Sequence, residues 1–92
     1  VIRTFRSKAL AELWAKSATA KIDAKMKKRI LIRLGRLNVV NTPAQMNLPG
    51  FDFHPLRGFV PTRYSVHVNG PWCITFELDS GDAFRVDFEQ YH

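Results

Sequence analysis

The chain has 92 residues, 46% hydrophobic and 24% charged, with a formal net charge of +6. This length supports one domain with one modest core, and the composition is that of a globular protein rather than a disordered tail. A lone cysteine, Cys73, excludes an internal disulfide. Charges interrupt every apolar stretch, and no signal-peptide block is visible, so a cytoplasmic protein without membrane association is expected.

The charge is unevenly spread. Residues 1–40 hold eleven Lys or Arg against two acids, net +9, while residues 41–92 hold three against six, net −3. A basic half on a small protein suggests a polyanion partner, most often nucleic acid, although a solvated helix surface has the same composition.

Ile2-Arg3-Thr4-Phe5 alternates and is readable as a short first strand. Ser7 can cap the helix that follows, because its hydroxyl can accept from an otherwise unpaired amide. Leu10, Leu13 and Trp14 recur at helical spacing, which predicts a helix near Lys8–Lys16. Ser17 to Ala20 reads as a break, and Asp23 as the cap of a second helix running from about Ala24 to Val39. Met26, Ile30, Leu34 and Leu37 form its apolar face. Lys25, Arg29, Arg33 and Arg36 form a basic stripe beside it, suited to RNA phosphates or to an acidic partner protein. Pro43 stops the helix, and residues 43–50 are a connector with one helical turn near Ala44–Met46.

From Phe51 the period changes from 3.6 to 2. Tyr64, Val66 and Val68 alternate with Ser65 and His67. Asn69-Gly70 is expected to form a type I′ hairpin turn, and Pro71 to begin the next strand. Trp72, Ile74, Phe76 and Leu78 face one way; Cys73, Thr75 and Glu77 face the other. After a turn at residues 79–82, Phe84, Val86 and Phe88 are expected in the core, opposite Arg85, Asp87 and Glu89. The whole predicts an α+β domain: two N-terminal helices on one face of a small, mainly antiparallel sheet.

The inventory of reactive side chains best fits metal-free RNA cleavage. In that reaction the ribose 2′-oxygen attacks the neighbouring phosphorus and the 5′-oxygen leaves. A base assists the first event, an acid the second, and a cation stabilises the charge on phosphate. Histidine titrates near neutrality, and arginine offers a planar fork to phosphate. His54, Arg57, Tyr91 and His92 supply these types. Each also has a purely structural reading: a strand-edge histidine bonded to backbone, a solvated arginine, a core tyrosine and a frayed terminus. The spacing of His54, His67, Cys73 and His92 provides no close pair of metal ligands, and no glycine-rich phosphate loop is present, so no metal or cofactor is expected.

His54-Pro55-Leu56-Arg57-Gly58, Tyr64-Ser65-Val66, Val68-Asn69-Gly70, Trp72 with Ile74-Thr75-Phe76, Gly81-Asp82-Ala83 and the terminal Glu89-x-Tyr91-His92 together resemble the HigB-type toxins of bacterial toxin–antitoxin pairs, within the RelE-like ribonucleases. The opening Ile2-Arg3-Thr4-Phe5 and Lys8 share the likeness, which runs essentially end to end. The resemblance implies the RelE-like toxin fold and a small endoribonuclease that cuts mRNA on the translating 70S ribosome and inhibits translation. It also implies a partner, a helix-turn-helix antitoxin of the HigA type, with operator DNA contacted only indirectly through that antitoxin. By position, His54 and His92 become proton-transfer or phosphate-contacting groups, Tyr91 orients or activates the nucleophile, and Arg57 stabilises the phosphate. Lys8, Lys16 and the stripe of Lys25, Arg29, Arg33 and Arg36 become a candidate ribosomal-RNA surface.

Two positions depart from the pattern. Gln90 stands where many family members have an acid, and a glutamine amide cannot take a proton near neutrality. Cys73 stands where many have an arginine, which removes a fixed cation from the sheet face expected to hold mRNA. Arg63 or Arg85 can compensate if either points into the same cleft. The chain is therefore expected to be either an active or weakened mRNA endonuclease, or a catalytically attenuated toxin-fold protein that binds its antitoxin in transcriptional autoregulation.

Overall fold

The computed structural model describes residues 1–90. Helix α1 spans Lys8–Lys16, helix α2 spans Ala24–Leu37, and a short 3-10 turn covers Pro43–Met46. Four strands follow: β1 His54–Leu56, β2 Arg63–Asn69, β3 Trp72–Asp79 and β4 Asp82–Gln90, hydrogen-bonded in that order and antiparallel throughout. The α+β arrangement is the expected one. No helix of the described residues is long and apolar enough to cross a membrane.

Both helix starts follow from their caps. Ser7 Oγ accepts from the Leu10 amide at 3.1 Å, and Asp23 Oδ1 accepts from the Lys25 amide at 2.9 Å, each satisfying a donor the helix itself cannot. Leu10 and Leu13 of α1, and Ile30, Leu34 and Leu37 of α2, are buried against Val66, Val68, Ile74, Phe76 and Val86 of the sheet. α2 lies against β2 and α1 against β4. The residues before α1 run parallel to β4 as two isolated bridges, Ile2 with Ala83 and Phe5 with Val86, rather than as a full strand.

Three local details differ from the pattern-based expectation. The first is the β2–β3 turn, whose paired ends are Asn69 and Trp72, so the loop residues are Gly70 and Pro71. Gly70 takes φ +56°, whereas proline is restricted to negative φ and has no amide for the ladder, so Pro71 sits in the turn rather than beginning the strand. The two positive-φ positions of the type I′ pattern fall instead at Ser80 (φ +52°) and Gly81 (φ +84°). The second is in β4, where Arg85 adopts φ +49° and the pairing with β3 slips between Thr75 and Glu77. This bulge inserts one residue, so Phe84 pairs with Glu77 on the polar face while Val86 and Phe88 remain on the core face. The expected core assignment of Phe84 is thereby corrected.

The third concerns Arg33, which does not lie in a solvent-facing stripe. It is 8% exposed. Its Nε donates to the His67 carbonyl at 2.5 Å, Nη1 to the Arg29 carbonyl at 3.1 Å and Nη2 to the Gly50 carbonyl at 3.2 Å, and its guanidinium lies 4.6 Å from the centre of the Phe51 ring. Burial, reinforced by the charge of Arg29, lowers its pKa, yet a guanidinium stays charged across the physiological range. Arg33 therefore fastens α2 to β2 and to the segment leading into β1. Arg33→Ala is expected to cost about 3 kcal/mol, because it strands the His67 and Gly50 carbonyls and leaves a cavity. Arg33→Lys, which restores charge but not the planar fork, should recover only part of that. Urea unfolding midpoints of the two variants against wild type are the check.

Candidate active site on the polar sheet face

The helices cover one face of the sheet. The pairing register places a row of polar residues on the other: His54 opposite Ser65, Ser65 opposite Thr75, and Thr75 opposite Asp87. A second row runs His67, Cys73 and Glu89, and a third Leu56, Arg63 and Glu77. His54 is separated from Thr75 by two strand spacings, about 10 Å.

His54 is exposed at the start of the edge strand β1. Its position is set by the preceding residues. The Phe51 carbonyl accepts from the His67 amide at 2.6 Å, Asp52 takes φ +45°, and Phe53 stacks on Tyr64 with ring centres 5.5 Å apart. The left-handed turn at Asp52 brings its carbonyl 2.9 Å from His54 Nδ1. A carbonyl can only accept, so Nδ1 carries a proton and Nε2 is left to exchange one with a bound molecule. Arg57 is exposed in the turn immediately after β1, three residues beyond His54 on the same edge.

The floor of this face is a closed charge network. Arg63, 3% exposed, donates to Glu77 at 3.1 Å, to Thr75 Oγ1 at 2.9 Å and to the Arg85 carbonyl of the bulge at 2.9 Å. Arg85 Nη1 reaches Glu77 at 3.3 Å from the other side. Arg63 can only donate, so the Thr75 hydroxyl accepts from it and gives its own proton to Glu89 Oε2. Arg63 is thus committed to protein groups, whereas Arg85 meets Glu77 through Nη1 alone and its side chain stays 62% exposed. Arg63, expected among the RNA contacts, is buried and neutralised by Glu77, and Arg33 is buried on the helix side. Neither stands on a surface that RNA can reach as the protein is folded.

Cys73 is 7% exposed and lies between His67 and Glu89 on the polar face. Gln90 pairs with Trp72, on the side of β4 that also carries Phe88, which stacks on Trp72 with centres 4.5 Å apart. The carboxylates that β4 presents to the polar face are therefore Asp87 and Glu89. The sequence signal for Glu89 was present in the alternation of Thr75 and Glu89, but only the strand register joins them. Tyr91 and His92 lie outside the described residues. Lys8 and Lys16 are exposed at the two ends of α1, about 12 Å apart, and Lys25, Arg29 and Arg36 are exposed on α2. Among the described residues, no three His, Cys, Asp or Glu side chains come together as a metal-binding group.

The family model of HigB-like toxins, described as RelE-like toxins of type II toxin–antitoxin systems, matches residues 3–92. The chain belongs to this family. It is 32% identical over 92 residues to Endoribonuclease HigB of Proteus vulgaris, a match that covers the whole length of both proteins. As a toxin of a type II system, the protein has an antitoxin as a partner.

One buried group of the toxin's polar face has no hydrogen-bond partner among the described residues: the hydroxyl of Ser65, which sits between His54 and Thr75. An unpartnered buried hydroxyl is costly, so Ser65→Ala should leave stability unchanged or raise it by up to about 1 kcal/mol, read from the urea midpoint. A loss of more than that amount would show that the hydroxyl is partnered in the folded protein.

Proposed function

We propose that this toxin is a metal-free endoribonuclease that cuts mRNA on the translating ribosome, and that the exposed edge carrying His54 and Arg57 is part of its catalytic site. The full-length match to an endoribonuclease of the same family carries the reading. The anchored tautomer of His54 supports it.

On this reading the 2′-hydroxyl of one nucleotide gives up its proton as its oxygen attacks the adjacent phosphorus. The P–O5′ bond breaks, and the departing 5′-oxygen receives a proton, leaving a 2′,3′-cyclic phosphate and a 5′-hydroxyl. The Nε2 of His54 serves one of these proton transfers: as a base when neutral, as an acid when protonated. His92, carried over from the family pattern, serves the other, and Tyr91 orients the nucleophile. Arg57, the exposed cation in the turn after β1, meets the charge that builds on the non-bridging oxygens. Lys8 and Lys16 contribute to the long-range attraction for ribosomal RNA. The HigA-type helix-turn-helix antitoxin is the partner that silences the site in the cell and carries the complex to operator DNA.

The direct test adds purified toxin to a defined translation reaction and maps new 5′ ends on the mRNA, with ribosome-free mRNA in parallel. Cuts within codons are expected only when ribosomes are present. Their absence at protein levels saturating the ribosomes would overturn the reading. His54→Ala should slow cleavage about a hundredfold or more, as loss of a proton-transfer group does.

The same assay tests the two departures. Cys73→Arg places a cation on the polar face beside Glu89 and should raise the cleavage rate by about ten- to a hundredfold. Gln90→Asp changes a residue on the Trp72 side of β4 and should have the smaller effect. The reverse order of effects would mean that the end of β4 turns toward the polar face when RNA binds.

A further inference from the structure

The outward face of α2 combines two features that do not usually occur together. Lys25, Lys28, Arg29 and Arg36 are exposed along it, and none of them is in an ion pair among the described residues. The helix itself contains no acid. Set among these cations are two of the few large aliphatic side chains exposed on the protein, Ile32 at 52% and Val39 at 65%. Residue 39 lies just past the end of the helix, but Asn38 keeps helical dihedrals and the Val39 amide donates to the Arg36 carbonyl at 3.1 Å, so the helical path continues to it. On that path all six residues fall within a stripe about 100° wide, and Ile32 and Val39 stand two turns apart, about 10.5 Å.

Two of the cations are also held in place. Arg29 Nη1 donates to the Val68 carbonyl at 3.2 Å and Arg36 Nε to the Gln45 carbonyl at 3.2 Å. Each retains further N–H groups to offer, and little side-chain freedom remains to be lost on binding. RNA phosphates would use the cations but gain nothing from the two aliphatic side chains. A protein segment uses both. We propose that this face of α2 is the docking surface for the antitoxin, and that it receives a segment with aliphatic side chains about two helical turns apart, flanked by Asp or Glu. The carboxylates meet Arg29, Arg36 and the lysines, while the aliphatic pair covers Ile32 and Val39. The inference rests on the family's type II assignment for the existence of an antitoxin. It does not depend on His54 being catalytic.

The test uses the full-length toxin and the antitoxin encoded beside it, with affinity measured by titration calorimetry across a salt series. Ile32→Glu and Val39→Glu place a carboxylate in the aliphatic part of the stripe without removing a buried group, and each should weaken binding by about tenfold or more. Binding by wild type should weaken as salt rises. Both variants should leave cleavage by the free toxin in the translation assay unchanged. Amide hydrogen exchange on wild type provides a readout that needs no variant: antitoxin should increase protection across residues 24–39. Unchanged affinity in both variants, or no added protection there, would overturn the proposal. So would intact antitoxin binding combined with lost cleavage, which would assign the face to the ribosome, or a concentration-dependent dimer of the free toxin abolished by Ile32→Glu, which would assign it to a second copy. Should wild type bind antitoxin but cut no mRNA, the endonuclease reading fails while the docking result stands.

Discussion

A single buried cation couples the helical layer to the edge of the sheet where the candidate chemistry lies. Arg33 leaves α2 at the boundary of its apolar face and spends its guanidinium on the carbonyls of Arg29, Gly50 and His67. Taking a charge out of water is costly, and the cost is offset only where the surrounding acceptors are complete and well placed. The planar fork of arginine can meet three carbonyls at once, which an ammonium on a flexible stem matches poorly. The consequence reaches beyond α2. On the edge of β2 where a longer β1 would otherwise pair, the His67 amide donates to Phe51 and the His67 carbonyl accepts from Arg33. β1 is therefore only three residues long. The turn at Asp52 that sets His54 follows directly from the place where Phe51 is pinned.

The second buried arginine has the opposite effect on function. Arg63 closes a network with Glu77, Thr75 and the bulged carbonyl of Arg85, so its charge is spent within the protein. Glu77, Asp87 and Glu89 also belong to the polar face. That face does not attract a polyanion by its own charge, and Cys73 adds no cation to it. On the proposed reading, the net +9 of residues 1–40 supplies the long-range attraction, while the sheet supplies the groups with defined geometry.

The parts of this architecture that were legible in the sequence are those governed by local rules. Ser7 and Asp23 announce their helices because a side-chain oxygen before an apolar-periodic run has one obvious donor to meet. Leu10, Leu13, Ile30, Leu34 and Leu37 follow the helical period into the core. Arg33 was misread, and the direction of Arg63 was left open, because a charged residue at the margin of an apolar stripe, or at the start of a strand, has the pattern of a solvated one. What buries them is the arrival of carbonyls and carboxylates from segments 12 to 34 residues away. Phe84 was misplaced because period-2 alternation assumes an unbroken strand, and the left-handed residue at Arg85 shifts the phase by one. His54 and Arg57 stood out through their chemistry. Glu89 did not, since its pairing with Thr75 exists only in the register between β3 and β4.

The same phase argument revises the weight of the two unusual residues. Read as letters, Gln90 and Cys73 are equivalent losses, one of an acid and one of a cation. Read on the sheet, they are not equivalent. Cys73 is on the polar face, between His67 and Glu89, where Glu89 accepts from the hydroxyl of Thr75. Gln90 alternates onto the Trp72 side, and the polar face keeps a carboxylate one residue earlier in the chain. In the proposed site, the departure from the expected pattern is therefore one of positive charge rather than of acid. A proposed cleavage site short of a cation depends more heavily on Arg57, the exposed arginine in the turn that follows β1, which makes it the residue whose charge the proposed reaction can least spare.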